Sequence, residues 1–282
     1  MKILGIDLGG TNVRVGLIDG YSLINVASTP ISTKASEEKV LEEIFALIDQ
    51  LITHEVAGIG IGVPSVVDLS RGIVYDVQNI PSWKEVHLKE IMEKRYGIPV
   101  YINNDANCFA AGEKYFGKAK DYQNAVGLIV GTGLGAGIIV QGRLYSGSNC
   151  GAGEFGMIPY RDNILEYYCS GQFFSNEFSM TGEEVFTKAM GGDENALEIF
   201  SRFGKHLGEA IKIILYTYDP EVIILGGSVS KSYRFFEESM KNSISDFAYA
   251  QSLKNIKIEP SELDQVALLG AAALYFDAVE GK

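Results

Sequence analysis

Cysteine is scarce in this chain: Cys108, Cys150 and Cys169 lie far apart, and no two of them form a CxxC or CxC pair. That spacing excludes a disulfide framework and a cysteine-built metal ribbon, and it leads us to expect a reduced, cytoplasmic protein. Histidine is as sparse, with His54, His87 and His206 widely separated and in no metal-ligand spacing. Basic residues are in the minority, 24 Lys and Arg against 36 Asp and Glu, for a net charge of −12. Nucleic acid is therefore an unsuitable partner, because neutralising its phosphates takes clustered Lys and Arg. No apolar run approaches the roughly 18 residues of a membrane span. Asp7 interrupts the first apolar run almost at once, which argues against a secretory leader. A Gly-x-x-x-x-Gly-Lys-Ser/Thr run is also missing, so the chain is not a P-loop protein.

Glycine, by contrast, is plentiful and placed twice in the same pattern. A short apolar strand, Ile3 to Ile6, runs into Asp7-Leu8-Gly9-Gly10-Thr11-Asn12; a second strand, Val13 to Ile18, leads to the turn Asp19-Gly20. Glycine lets a backbone approach a bound group and turn its N–H donors outward, which suits a phosphate. The neighbouring carboxylate suits a Mg²⁺ ion riding on that phosphate, usually through water. The plan recurs at 126–145: strand Val126 to Val130, bend Gly131-Thr132-Gly133-Leu134-Gly135-Ala136-Gly137, strand Ile138 to Val140, turn Gln141-Gly142. Gly131-x-Gly133-x-x-Ala136 nominally fits the dinucleotide fingerprint, but that motif must open a helix, and Ile138-Ile139-Val140 reads as strand. One hairpin in each half can close over a single polyphosphate.

With 282 residues, 46% of them apolar, the chain is long enough for about two domains with a full core. Strands and helices alternate along it. Residues 37–52 set Val40, Leu41, Ile44, Leu47, Ile48 and Leu51 on one helical face. Ile59 to Val63 reads as a buried strand, Leu88 to Tyr96 as a short helix, and Pro99 to Ile102 as a strand delivering Asn103-Asn104-Asp105. A helix follows from Ala106 to Tyr115, for which Asp105 could itself be the cap. A helical region over 194–217 stops at Asp219-Pro220, and Val222 to Leu225 is a strand entering Gly226-Gly227-Ser228. Asp264 can cap a last helix, Gln265 to Phe276, apolar on most faces and so expected between layers. These elements fit a duplicated α/β architecture with a cleft between lobes. The expected division is an N-terminal lobe, 1–115 plus the closing helix 264–282, and a C-terminal lobe, 116–263.

At this point the ordered motifs resemble the ROK family of bacterial sugar kinases, within the actin/hexokinase superfamily with its ribonuclease H-like lobes. The match spans essentially the whole chain: Asp7-Leu8-Gly9-Gly10-Thr11, Gly62-Val63-Pro64, Asn79-Ile80-Pro81-Ser82-Trp83, Asn104-Asp105-Ala106-Asn107, Gly131-Thr132-Gly133-Leu134-Gly135, Glu154-Phe155-Gly156, Leu165-Glu166, Gly226-Gly227-Ser228 and Leu269-Gly270-Ala271-Ala272. Each motif is weak alone; their order is specific. The resemblance implies ATP-dependent phosphorylation of a hexose at its 6-hydroxyl, with glucose first, and Asp105 as the base that takes the hydroxyl proton. One carboxylate beside the nucleophilic oxygen is what phosphoryl transfer requires. It further implies Asn79, Asn104, Asp105, Glu154 and Glu166 as sugar ligands, with Met157 beside them. Gly9, Gly10, Thr11, Asn12, Gly131, Thr132 and Gly133 are implied as phosphate clamps, Gly226 and Gly227 as the floor under the adenosine, and Asp7 as the holder of Mg²⁺ through water. A homodimer is the family expectation.

Three departures stand out. The family's Glu-x-Gly-His motif ends here in Met157, the Cys-x-Cys-Gly-x-x-Gly-Cys zinc segment before Leu165-Glu166 is replaced by Pro159-Tyr160-Arg161-Asp162-Asn163-Ile164, and Ser65 stands where Gly is usual. Losing the histidine and the cysteines together reads as deletion of the zinc site as a unit, so no zinc is expected. Met157 puts a soft apolar wall where an imidazole would face the anomeric end. An N-acetylhexosamine, fructose or a β-glucoside are therefore alternative substrates. A non-catalytic sugar sensor is a further reading. The family's repressors carry a winged helix-turn-helix ahead of the first glycine motif; six residues precede Asp7 here, which speaks against that branch.

Overall fold

A computed structural model describes residues 1–77, 79–148 and 150–279; residues 280–282 of the expected closing helix lie outside the described residues. The chain divides into two compact units, one of Met1–Asp121, Gly137–Ala152 and Glu262–Lys282, the other of Tyr122–Ala136 and Gly153–Ser261.

In the first unit, strands β1 (Lys2–Leu8), β2 (Asn12–Asp19), β3 (Ser22–Pro30), β4 (Val56–Val63) and β8 (Val100–Asn104) form one sheet in the order β3-β2-β1-β4-β8. β1 to β3 are an antiparallel meander, and β1, β4 and β8 run parallel. The parallel strands read as near-continuous apolar runs because both faces are covered. Helix α1 (Glu37–Ile48), capped by Ser36 on the Lys39 N–H, buries Val40, Leu41, Ile44, Leu47 and Ile48. It ends four residues before the expected boundary, and Leu51 stays buried in the turn that follows. A small sheet of β5 (Val66–Asp68), β6 (Ile73–Tyr75) and β7 (Glu85–Val86) was not read from sequence, its strands being too short to show a period. Ser65, at the position where glycine is usual, donates its hydroxyl to the Tyr75 carbonyl and ties this sheet's mouth.

Helices α2 (Leu88–Tyr96) and α3 (Asp105–Tyr115) flank β8. In the second unit, β9 (Ala125–Val130) enters the second glycine bend and β10 (Leu134–Val140) leaves it; past Ala136, β10 belongs to the first unit, where it pairs with β11 (Arg143–Tyr145). A two-residue hairpin, β12 (Pro159–Tyr160) and β13 (Asn163–Ile164), precedes α4 (Leu165–Cys169), α5 (Gln172–Phe178) and α6 (Gly182–Met190). The 25-residue α7 (Glu194–Tyr218) is capped by Asp193 and packs its buried stripe, from Ile199 to Leu215, in part against α8 (Tyr233–Ile244). β14 (Val222–Gly226) lies parallel to β9 and to β15 (Lys257–Pro260), which follows the short α9 (Ala250–Asn255).

The closing helix α10 (Val266–Val279) belongs to the first unit and is buried along Leu268–Tyr275. It sits directly on the sheet: a methyl on Gly60 of β4 would lie 1.8 Å from the Ala271 carbonyl oxygen. Only glycine allows this approach. The expected Asp264 cap is not formed; Gln265, at φ 53°, precedes the helix, and its carbonyl accepts the Leu268 and Leu269 N–H groups. Among the described residues, no helix is long and apolar enough to cross a membrane.

Candidate functional site

The first glycine bend closes with the Gly9 N–H on the Asn12 carbonyl at 2.9 Å, while Thr11 accepts the Ile31 N–H and Asn12 donates to the Thr11 hydroxyl. Gly10 is where Asn79 approaches: a methyl there would sit 2.5 Å from the Asn79 amide nitrogen. One expected sugar ligand and one expected phosphate clamp are thus side by side. Asp7, expected to serve a metal through water, is already engaged. Arg14 Nε and Nη2 both donate to its Oδ2, at 3.1 and 2.7 Å, and Arg14 Nη1 donates to Gln265. The hairpin register sets Asp7 directly opposite Arg14, a pairing that cross-strand geometry alone could have revealed. Asp7 Oδ1 takes no hydrogen bond among the described residues.

Asn104, not Asp105, caps α3: its Oδ1 accepts the Asn107 N–H at 2.7 Å, and its Nδ2 reaches the Cys150 carbonyl at 3.4 Å. Asn104 is therefore largely committed to holding the helix start. Asp105 is released from that duty and accepts the Ala106 N–H at 2.8 Å on Oδ1. Behind it, the buried Asn103 is the local hub. Its Oδ1 accepts from the Asn104 N–H, the Asn107 amide and the Cys150 thiol, and its Nδ2 donates to Ser146. Asp105 is exposed as a residue, yet its carboxyl is raised above the ordinary range, first by desolvation from the surrounding protein and also by the negative charge of Asp7, with the Ala106 N–H opposing. Two neighbouring carboxylates of this kind suit a divalent ion held between water and phosphate.

A titration follows from this. Removing the Asp7 charge favours the ionised form of Asp105, so Asp7→Asn should lower the Asp105 midpoint. Carboxyl carbon NMR across pH measures it; an unmoved or raised midpoint would show that Asp7 does not act on Asp105.

In the second unit, the Gly131 N–H donates to the Gly133 carbonyl at 3.0 Å, and the Gly131 carbonyl accepts the Gly171 N–H at 2.7 Å. Glu166 Oε2 accepts the Leu134 N–H at 2.9 Å and lies against Gly133; its Oε1 accepts from Gln172 at 2.9 Å. The expected sugar glutamate is thus bolted to the second glycine bend. Glu154 stands exposed just before a 3₁₀ turn, Phe155–Met157, and Met157 is 61% exposed. A cavity of about 620 Å³ opens beside Gly131 and Thr132. Its walls include Gln172, Phe174, Thr181, Phe200, Val229 and Lys231, of which the sequence reading named none, since their positions carry no motif. Gly226 and Gly227 stand one layer behind. Gly227, at φ 84°, comes so close to Val130 that a methyl would lie 2.4 Å from its carbonyl oxygen, and Ser228, Val229, Lys231 and Ser232 follow on the wall. A volume of this size, with Phe174, Phe186 and Phe200 in its walls, is large enough for a nucleoside. Among the described residues, no group of three His, Cys, Asp or Glu side chains could hold a metal ion.

The ROK family model matches residues 3–278. The chain belongs to the ROK family. This ROK protein is 26% identical over 314 aligned positions to the glucokinase of Thermotoga maritima, covering 100% of this chain and 99% of that one. It is also 28% identical over 296 positions to the xylose repressor of Bacillus subtilis, covering 97% of this chain and 77% of the repressor. The crystal structure of a ROK family glucokinase from Streptomyces griseus, in complex with glucose and AMPPNP, superposes with a TM-score of 0.78 at 25% identity, covering 97% and 99% of the two chains. The fold is the actin-like two-lobed α/β fold of the ROK sugar kinases.

Proposed function

We propose that this ROK protein is an ATP-dependent hexose kinase acting on the 6-hydroxyl, with glucose as its first substrate. The observation that carries the reading is Asp105: a carboxylate at a strand end, relieved of helix capping by Asn104 and raised above the ordinary carboxylate range. Such a group accepts the proton of the attacking sugar hydroxyl. Asn79, Asn104, Glu154 and Glu166 hold the other hydroxyls, and the bends at Gly9-Gly10-Thr11-Asn12 and Gly131-Thr132-Gly133 receive phosphate oxygens on N–H donors other than those of Gly9 and Gly131, which close the bends. The adenosine would occupy the 620 Å³ cavity, with Gly226 and Gly227 supporting its wall from behind. Asp7 Oδ1 would hold Mg²⁺ through water; when bound, the ion neutralises the charge on the transferring phosphoryl group.

The exposed Met157 thioether cannot donate a hydrogen bond where the family has an imidazole. Losing one directional bond is worth about 0.5–1.5 kcal/mol, a few-fold to roughly tenfold in affinity. Sugars changed at the first or second carbon, such as 2-deoxyglucose, mannose or a methyl β-glucoside, should then react within about tenfold of glucose. Galactose should fail by about 10²-fold or more, because its misplaced hydroxyl leaves buried polar groups unpaired. Ranking kcat/KM over this panel with ATP and Mg²⁺ checks both statements, and strict rejection of the β-glucoside would refute an open anomeric end. The similarity to xylose repressors favours a second reading, a sugar-binding regulator. Sugar binding without turnover on any member of the panel would establish that reading and overturn the kinase.

A further inference from the structure

The ROK resemblance implies a zinc-bound segment just before Glu166, and the side chains present here do not fit that metal. Zinc asks for four nitrogen or sulfur donors with open lone pairs. His206 is the one histidine near this segment, and its Nδ1 lies 3.1 Å from the Tyr160 hydroxyl. Its ring packs against Tyr168, with centroids 5.0 Å apart, and edge-on to Phe173 at 5.6 Å. Burial, then the positive charges of Arg161 and Arg202, push His206 down to about 4, with Glu209 opposing. Cys169 is fully buried, and burial raises its thiol away from the thiolate that zinc binds.

What stands in that place is a closed aromatic and cationic cluster. Tyr160 meets Tyr168 edge to face at 5.4 Å. The Arg161 guanidinium lies 5.7 Å from the centroids of both tyrosines. The Tyr168 hydroxyl donates to Asp162. These residues belong to three elements: the hairpin β12–β13, helix α4 and helix α7. The hairpin has two residues per strand and α4 has five residues, too few for either to hold its shape alone. Glu166 lies in α4 between the hairpin and Tyr168, so both sides of it are fastened to the 25-residue α7 through His206.

We propose that the cluster Tyr160, Arg161, Tyr168 and His206 replaces the metal segment mechanically, making Tyr168 and His206 positioning residues that keep the Glu166 carboxylate on the Leu134 N–H and aimed at the sugar. The sugar part rests on the reading of this protein as a sugar kinase; the Glu166–Leu134 part does not.

Amide hydrogen exchange at Leu134 tests it without any turnover. His206→Ala should speed exchange there about tenfold, as Glu166→Ala does, while exchange in β14 stays unchanged. The double variant should be no faster than Glu166→Ala alone, because the cluster acts through that carboxylate. Tyr168→Phe keeps the ring but drops the bond to Asp162, should move Leu134 the same way by a smaller factor, and carries the test if His206→Ala does not fold. In sugar titrations, both variants should weaken hexose binding with little change in ATP-analogue affinity. Unchanged Leu134 exchange in both variants, or additive effects in the double variant, would overturn the proposal. Elemental analysis of protein grown with added zinc should find well under one zinc per chain; a stoichiometric ion displaced by chelator with faster Leu134 exchange would also overturn it. Failure to bind any hexose, with the Leu134 results as expected, would count against the kinase reading alone.

Discussion

Asp105→Asn should abolish phosphoryl transfer while leaving hexose binding and the fold in place. The asparagine keeps Oδ1 to accept the Ala106 N–H, which Asp105 accepts at 2.8 Å, and the helix cap is Asn104 in either case. What is lost is the proton acceptor. Removing a general base costs about 10²–10⁴-fold in rate, and more where the base also orients the hydroxyl. Turnover and hexose affinity measured on the same preparation separate the two roles. Near-normal turnover would end the assignment of Asp105 as base. Loss of binding together with turnover would make it a sugar ligand first.

Gly60→Ala should be the most damaging small substitution to stability. The added methyl would lie 1.8 Å from the Ala271 carbonyl oxygen and 2.6 Å from its carbon, which are backbone atoms of a buried helix. Helix α10 cannot retreat simply, since it also packs on β1 and α3, with Gly270 so close to Cys108 that a methyl there would lie 2.2 Å from its carbonyl oxygen. Overpacking against backbone costs about 3 kcal/mol, and each kcal/mol lowers Tm by roughly 2–4 °C for a chain of this size. Gly20→Ala is the control: its φ is 58° but nothing lies within 4 Å of the added methyl. The control should cost about 1 kcal/mol, for the left-handed backbone alone. Equal melting temperatures for the two variants would show that α10 yields freely and that the contact does not limit stability.

Much of the site is local in sequence, and the local parts were legible. Each glycine bend lies between two apolar strands, so its hairpin follows from residues within about twenty positions of one another. Asp105 follows a short strand and opens a helix, which placed it at an edge. The stripe of α7 runs long enough for its 3.6-residue period to show, and Asp219-Pro220 ended it within one residue of the observed boundary. The Asp7–Arg14 pair was equally within reach, because the bend at Gly9 sets the register.

Other features needed residues far apart in the chain to meet. Whether Asp105 or Asn104 caps α3 depends on the backbone angle at the strand end, and both residue types are competent caps. The small sheet around Ser65 and Tyr75 has strands of two or three residues, below the length at which alternation can be seen. Glu166 and Leu134 are separated by 32 positions, and Tyr160 and His206 by 46. By itself the sequence determined the ROK membership, the α/β class, the two glycine hairpins and the carboxylate at the end of β8, because each is written in neighbouring residues whose backbone preferences and periodicity act locally. Only the tertiary structure decided that Asn104 frees Asp105, that Arg14 also reaches Gln265, and that an aromatic cluster around His206 flanks Glu166, because hydrogen-bond partners and ring packing are chosen by the positions of elements that no local pattern records.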